Sequence, residues 1–366
     1  MEISKLDRNF LSSSNGEEKE EILWKNILEE PLSLEGLPFH LENKNPFYRL
    51  PERLDPILPS GIRELSHHTA GACVRFRSNS PFIRIQAELA FSCDMDHMPR
   101  IGSAGFDAYS RGPGEEEFTF KWPISVAPGK TFIDTEARCN EEKLLQEWII
   151  NFPLYGGLKS LSLGFEKESL LLPPLPHKVK KKIVFYGSSI TQGACASRPG
   201  NPYSAWLCRK VDAEGVNLGF AGSARGELFM AEVIGSLDMA CFIFDYDYNA
   251  EDPEMLQNTH EKFFEHIRSL HKDLPVILLS RCSKGRHSHE ERLRRNEIIR
   301  KTYENALASG DENVYFIDGR TLFEGEGADG CTVDGCHPND LGFFRMYKKI
   351  LPTLEKALHI RNEKGE

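Results

Sequence analysis

A hydroxyl, an imidazole and a carboxylate in the second half of the chain have the types and spacing of a nucleophilic site. Ser189 follows the short apolar run 181–186 and Gly187. Asp334 and His337 lie in Asp334-Gly335-Cys336-His337-Pro338, ahead of the last helical stretch. A serine hydroxyl is a weak nucleophile until a base takes its proton, and the base needs an orienting partner. Asp334, on the same turn as His337, can hold one ring nitrogen so that the other faces Ser189. Attack on a carbonyl places negative charge on oxygen, which calls for aimed N–H donors. The backbone N–H groups of Ser189 and Gly222 and the side-chain amide of Asn249 are the natural three, each following an apolar run of strand type. The chemistry these residues could do is acyl transfer.

Such residues must be brought together by a sheet. Strand candidates are 181–186, 215–220, 240–246, 275–280 and 314–318, with helix candidates between and after them at 202–212, 226–236, 253–272, 288–309 and 339–358. Continuous apolar strands alternating with helices imply a parallel sheet covered on both faces, an α/β architecture whose ligands bind beyond the carboxyl ends of the strands. Residues 35–172 have another texture: short alternating runs such as 82–89 and 117–122, separated by turn residues. That pattern predicts an all-β antiparallel sandwich. The proline-rich stretch 173–180 reads as a linker and leaves 181–366 as the α/β domain. Residues 1–34 read as a polar N-terminal arm, with one short helix before Trp24.

Hydrophobic residues make up 40% of the 366 and charged residues 27%, as in a soluble globular protein. The net charge of −10 argues against nucleic acid and anionic membranes as partners. No apolar run is long enough to span a bilayer, and the first residues lack the pattern of a secretory signal. Nine cysteines without a paired framework fit free thiols and a cytoplasmic location. Cys331, Cys336 and His337 offer no credible fourth ligand for zinc, so neither a metal nor a cofactor is expected.

The block Gly187-Ser188-Ser189-Ile190-Thr191 resembles the nucleophile block of the SGNH (GDSL) hydrolase superfamily, with Ser188 in place of its aspartate. The longer string from Tyr186 to Gly200 is similar to a subgroup that carries a β-sandwich before the catalytic domain. Gly105-Phe106-Asp107-Ala108-Tyr109 resembles the sandwich's Gly-x-Asp-Leu-Tyr signature, with alanine for leucine. The resemblance implies a three-layer flavodoxin-like domain after a jelly-roll-like sandwich, and ester hydrolysis without a cofactor, often deacetylation of carbohydrates. It carries the nucleophile to Ser189, the Asp-x-x-His pair to Asp334 and His337, and the oxyanion donors to Gly222 and Asn249. The third block departs from the family's Gly-x-Asn-Asp, reading Asp247-Tyr248-Asn249-Ala250.

These features together predict a serine esterase acting on short acyl esters, O-acetyl groups on small molecules or oligosaccharides. An acyltransferase using the same acyl-enzyme, and a carbohydrate-binding protein without catalysis, are the alternatives; self-association is left open. Arg198, Arg225 and Arg281 follow strands at the expected active face and, with Tyr248, are candidates for contacting substrate.

Overall fold

The computed structural model describes residues 21–91, 93–282 and 287–360. The chain divides into two compact units. The first comprises Met1–Arg49, His67–Pro176 and Ser197–Gly200, and the second Leu50–Ser66, His177–Ala196 and Asn201–Glu366.

Among the described residues the first unit holds ten strands: β1 (Ile22–Asn26), β2 (Ser33–Glu35), β3 (Cys73–Ser78), β4 (Phe82–Phe91), β5 (Phe106–Arg111), β6 (Thr119–Ile124), β7 (Phe132–Arg138), β8 (Gln146–Asn151), β9 (Gly157–Glu166) and β10 (Leu171–Leu172). Two short helices interrupt the order, α1 (Ser60–Leu65) and α2 (Arg100–Ala104), of which α1 belongs to the second unit. The strands form two antiparallel sheets, ordered β1-β9-β4-β7 and β10-β3-β8-β5-β6, with β2 added beside β3. Alternation along β4 sends Ile83, Ile85, Ala87 and Leu89 into one apolar core with Phe76, Trp122, Trp148, Phe152 and Phe165. Phe76 of one sheet meets Phe165 of the other edge to face at 5.3 Å, so the core is shared between the sheets.

The N-terminal region differs from expectation. Trp24 sits in the middle of β1, which pairs with β9 from Ile22↔Glu166 to Asn26↔Ser162, and the short helix expected ahead of it falls on the arm, outside the described residues. The polar arm therefore ends before β1, and 22–35 belong to the sandwich; the arm's residues 1–20 lie outside the described residues. An edge strand needs only one partner, and the run Ile22-Leu23-Trp24 supplies the bulky side chains that β9 accepts.

The Gly-x-Asp-Leu-Tyr variant lies on β5. Asp107 is fully buried and accepts the Gly200 N–H at 2.9 Å and the Asn151 side-chain amide at 2.8 Å. Ala108, where the signature has leucine, faces the core.

In the second unit five strands form one parallel sheet: β11 (Val179–Gly187), β12 (Ala213–Gly219), β13 (Met239–Asp245), β14 (Val276–Leu279) and β15 (Val314–Ile317). Their order is β12-β11-β13-β14-β15, the flavodoxin-like order in which the first strand lies between the second and third. A four-residue helix, α3 (Ser189–Gln192), follows β11. The longer helices are α4 (Tyr203–Val211), α5 (Leu228–Gly235), α6 (Pro253–Leu270), α7 (His289–Ala308) and α8 (Asp340–Ala357). α4 packs on α8, and α5, α6 and α7 pack in series. β14 is buried at all four positions, as a central parallel strand between helical layers must be. No helix among the described residues is long and apolar enough to cross a membrane.

Asp107→Ala removes the acceptor of two polar groups held inside the sandwich. We expect a loss of about 1–3 kcal/mol in stability, read as a lower urea midpoint at unchanged m-value, with Asp107→Asn losing less.

Candidate active site

β11 and β13 approach closely at the nucleophile's turn. A Cβ on Gly187 would lie 2.1 Å from the Asp245 carbonyl oxygen, so only glycine lets β11 run to its end there. Ser188 caps α3, its hydroxyl accepting the Ile190 N–H at 3.2 Å, while its own N–H donates to the Asp245 carbonyl at 3.0 Å. Serine thus replaces the family's aspartate in a capping position, where either residue serves. Thr191 Oγ1 donates to the buried Asp245 carboxyl at 3.2 Å, and Asn217 Nδ2 donates to the Thr191 carbonyl at 2.6 Å. Burial drives the Asp245 carboxyl well above the usual carboxylate range, which favours the neutral acid.

The base comes from the loop before α8. Thr332 bridges Pro338, and the Val333 N–H donates to the His337 carbonyl at 3.0 Å, closing a tight loop around Asp334. Asp334 Oδ1 accepts the N–H groups of Cys336 at 2.9 Å and His337 at 2.7 Å. Its Oδ2 accepts His337 Nδ1 at 2.7 Å. An ionised carboxylate can only accept, so Nδ1 carries the proton, and Nε2 is left to accept the Ser189 hydroxyl 2.9 Å away. Partial burial alone would raise the Asp334 pKa, but the bonds from the His337 ring and the two backbone N–H groups hold it at about 2.

Cys195 Sγ also lies within 4.8 Å of a His337 ring nitrogen. Burial, with Asp334 and Cys336 nearby, pushes that thiol up to about 12, so it stays protonated and does not compete with Ser189.

On the oxyanion side the expected donors are gathered but differently employed. The Gly222 N–H donates to Asn249 Oδ1 at 3.0 Å, and Asn249 Nδ2 donates to the Phe220 carbonyl at 2.9 Å. Gly222 therefore orients the Asn249 amide here instead of offering an unspent N–H. The Ser189 N–H at the start of α3 and the second Nδ2 hydrogen of Asn249 have no partner among the described residues. Gly222 has φ +65° and open space where a Cβ would project, which suits a residue beside an incoming group. Gln192 ties this loop to α3, its Oε1 accepting the Ala221 N–H at 3.0 Å. Gln192, Asp245 and Thr191 escaped the sequence reading as site residues. Thr191 and Gln192 stand in the nucleophile string itself, but nothing in the string marks which loop they tie down.

The expected substrate contacts fare less well. Arg198 belongs to the first unit, where its guanidinium lies 3.6 Å from the Phe120 ring centroid. Arg225 is exposed and bonded to Glu251 at 2.7 Å and to the Gly222 carbonyl at 3.4 Å, at the rim of the oxyanion loop. Arg281 is buried against Tyr248, 4.3 Å from its ring centroid and 3.6 Å from Asp247. Tyr248 places its hydroxyl 3.7 Å from Cys282 Sγ. Position after a strand puts an arginine near the sheet's end, but the acidic or aromatic neighbour that captures it comes from distant sequence.

The parallel sheet has the flavodoxin-like order, and a hydrogen-bonded Ser189–His337–Asp334 chain lies beyond its strands. The profile of the GDSL-like lipase/acylhydrolase family matches residues 180–355, and that of the N-terminus of SGNH-hydrolase-type esterases, the GxDLY domain, matches 22–171. A protein of Bacteroides ovatus ATCC 8483 assigned as a GDSL-like lipase is 30% identical, with TM-score 0.82, over 93% of this chain and 99% of that one. The chain belongs to the GDSL-like lipase/acylhydrolase family, a family of ester hydrolases. At lower identity the fold is shared with a salicylyl-acyltransferase from a tetracycline biosynthetic pathway (17% identity, TM-score 0.73, 93% and 98% covered). It is shared as well with a family two carbohydrate esterase from Cellvibrio japonicus (10%, 0.58, 93% and 98%). No curated protein matches the chain.

The depressed Asp334 pKa fixes a sign. Its folded value of about 2 lies below the ordinary 3.8, so its stabilising bonds are fully present above about pH 4 and fade as pH falls through 2. A carbon-13 NMR titration should place the Asp334 midpoint near 2, and His337→Ala should move it up toward 3.8.

Proposed function

We propose that this chain is a serine esterase that removes short acyl groups, O-acetyl groups in particular, from carbohydrates through an acyl-enzyme. The observation that carries the reading is the continuous hydrogen-bonded chain from Ser189 Oγ through both His337 ring nitrogens to Asp334, at 2.9 and 2.7 Å. Ser189 Oγ attacks the ester carbonyl while its proton passes to His337 Nε2. Asp334 stabilises the imidazolium that forms. The Ser189 N–H and the Asn249 amide hold the oxyanion, and collapse of the tetrahedral intermediate expels the alcohol with the proton from His337. Water, deprotonated by His337, then attacks the acyl-serine and releases the acid.

The carbohydrate and acetyl parts of the reading draw support from fold relatives that are carbohydrate esterases, among them an acetyl xylan esterase from Butyrivibrio proteoclasticus. The acyltransferase neighbour favours a second reading, in which the acyl-enzyme passes its acyl group to an alcohol in place of water. The steps before the acyl-enzyme are the same in both.

Ser189→Ala should lower kcat on p-nitrophenyl acetate and on acetylated sugars by roughly 10⁴–10⁶-fold, measured by product release. Unchanged turnover would remove the mechanism. With wild type, free acetate as the only acyl product supports hydrolysis. Acyl transfer to an added sugar acceptor, in preference to water, supports the second reading.

A further inference from the structure

The third block departs from its family pattern at the position occupied by Asp247, and that departure has a structural partner. Asp247 and Asn249 share one short 3₁₀ turn after β13. Asp247 has no solvent exposure. Its Oδ2 accepts the Arg281 N–H at 3.1 Å, and its Oδ1 accepts Arg295 Nη1 at 3.3 Å. Arg295, from α7, is also fully buried. It donates Nη1 to the Asp247 carbonyl at 3.1 Å and Nη2 to the carbonyls of Ala250 at 3.1 Å and Glu251 at 3.3 Å, while Nε bonds Glu291 at 2.9 Å.

One planar guanidinium thus grips the backbone on both sides of Asn249: the carbonyl two residues before it and the two that follow. The fork of a guanidinium is rigid, so fixing carbonyls on either flank fixes the peptide planes between them. Those planes set where the Asn249 side chain leaves the backbone, and hence the direction of the amide that bridges Phe220 and Gly222. Asp247 offsets the charge that makes this burial tolerable and links the turn to the start of the segment after β14.

We propose that Asp247 and Arg295 are positioning residues for the oxyanion donor Asn249, acting on the rate of the chemical step without touching substrate. The inference rests on the esterase reading above. A clamp of this kind matters more in the transition state than in the Michaelis complex, because the amide must point at an oxygen that becomes an anion. An ion pair that merely held α7 to the sheet would change stability and leave kcat and KM of the folded protein as they are.

The test is a double-mutant cycle on p-nitrophenyl acetate with Asn249→Ala, Arg295→Met and Asp247→Asn, and Ser189→Ala as control. Asn249→Ala should lower kcat about 100-fold. Arg295→Met should lower it about 10- to 100-fold with KM within about threefold of wild type. In the Asn249→Ala background the Arg295 change should add less than about threefold, because the donor it positions is already gone. Arg295→Met strands a buried carboxylate and can fail to fold; Arg295→Met combined with Asp247→Asn removes both charges of that pair, leaves Arg281 beside a neutral amide and the Tyr248 ring, and is expected to show the same loss in kcat. Wild-type kcat in these folded variants, or a full additive loss in the Asn249→Ala background, overturns the positioning role. Wild-type turnover by Ser189→Ala overturns the esterase reading itself, so the two failures are distinguishable.

Discussion

The hydrogen bond between Ser189 and His337 joins residues 148 apart in sequence, and the rest of the second unit can be understood as what makes that bond form. Each partner is held from its own side. Ser189 stands at the start of a four-residue helix whose cap, Ser188, and whose close approach to β13 at Gly187 leave it little freedom. His337 stands in a closed loop whose three bonds to Asp334 fix both the ring's tautomer and its direction. Neither device depends on a long flexible side chain. The geometry is therefore present before any substrate arrives, which is what lowers the cost of reaching a transition state.

The oxyanion side is built on the same plan, from short polar links between loops that follow adjacent strands. Gln192 holds Ala221, Gly222 holds Asn249, and Asn249 holds Phe220. Beneath them lies a buried layer of charge in which Asp247 and Arg295 have no exposure and Arg281 almost none. Buried charge of this kind is a poor source of stability, since desolvation offsets much of the attraction. Its place under a candidate oxyanion donor makes sense if it sets geometry.

The parallel sheet was legible because its strands are continuous apolar runs with helices between them; each expected strand and helix lies within a few residues of the observed one. The pair Asp334 and His337 was legible because the two are close in sequence and their spacing fits one turn. What was not legible depends on partners far away in the chain. β1 reads as the end of a polar arm until β9 is beside it. Arg281 reads as a substrate contact until Asp247 and Tyr248 enclose it. Gly222 reads as an oxyanion donor until the Asn249 side-chain oxygen takes its N–H. In each case the local sequence permits both outcomes, and long-range packing chooses.

The central claim is that the Ser189 hydroxyl, activated through His337, carries the acyl group during turnover. Rapid acid quenching of the protein during reaction with p-nitrophenyl acetate, followed by peptide mass mapping, tests it directly. An added acetyl group is expected on the peptide that contains Ser189, at that residue and in proportion to the amount of active protein. An acetyl group found instead at Cys195 or another side chain, or turnover with no acyl-protein species at all under conditions where it should accumulate, would contradict it.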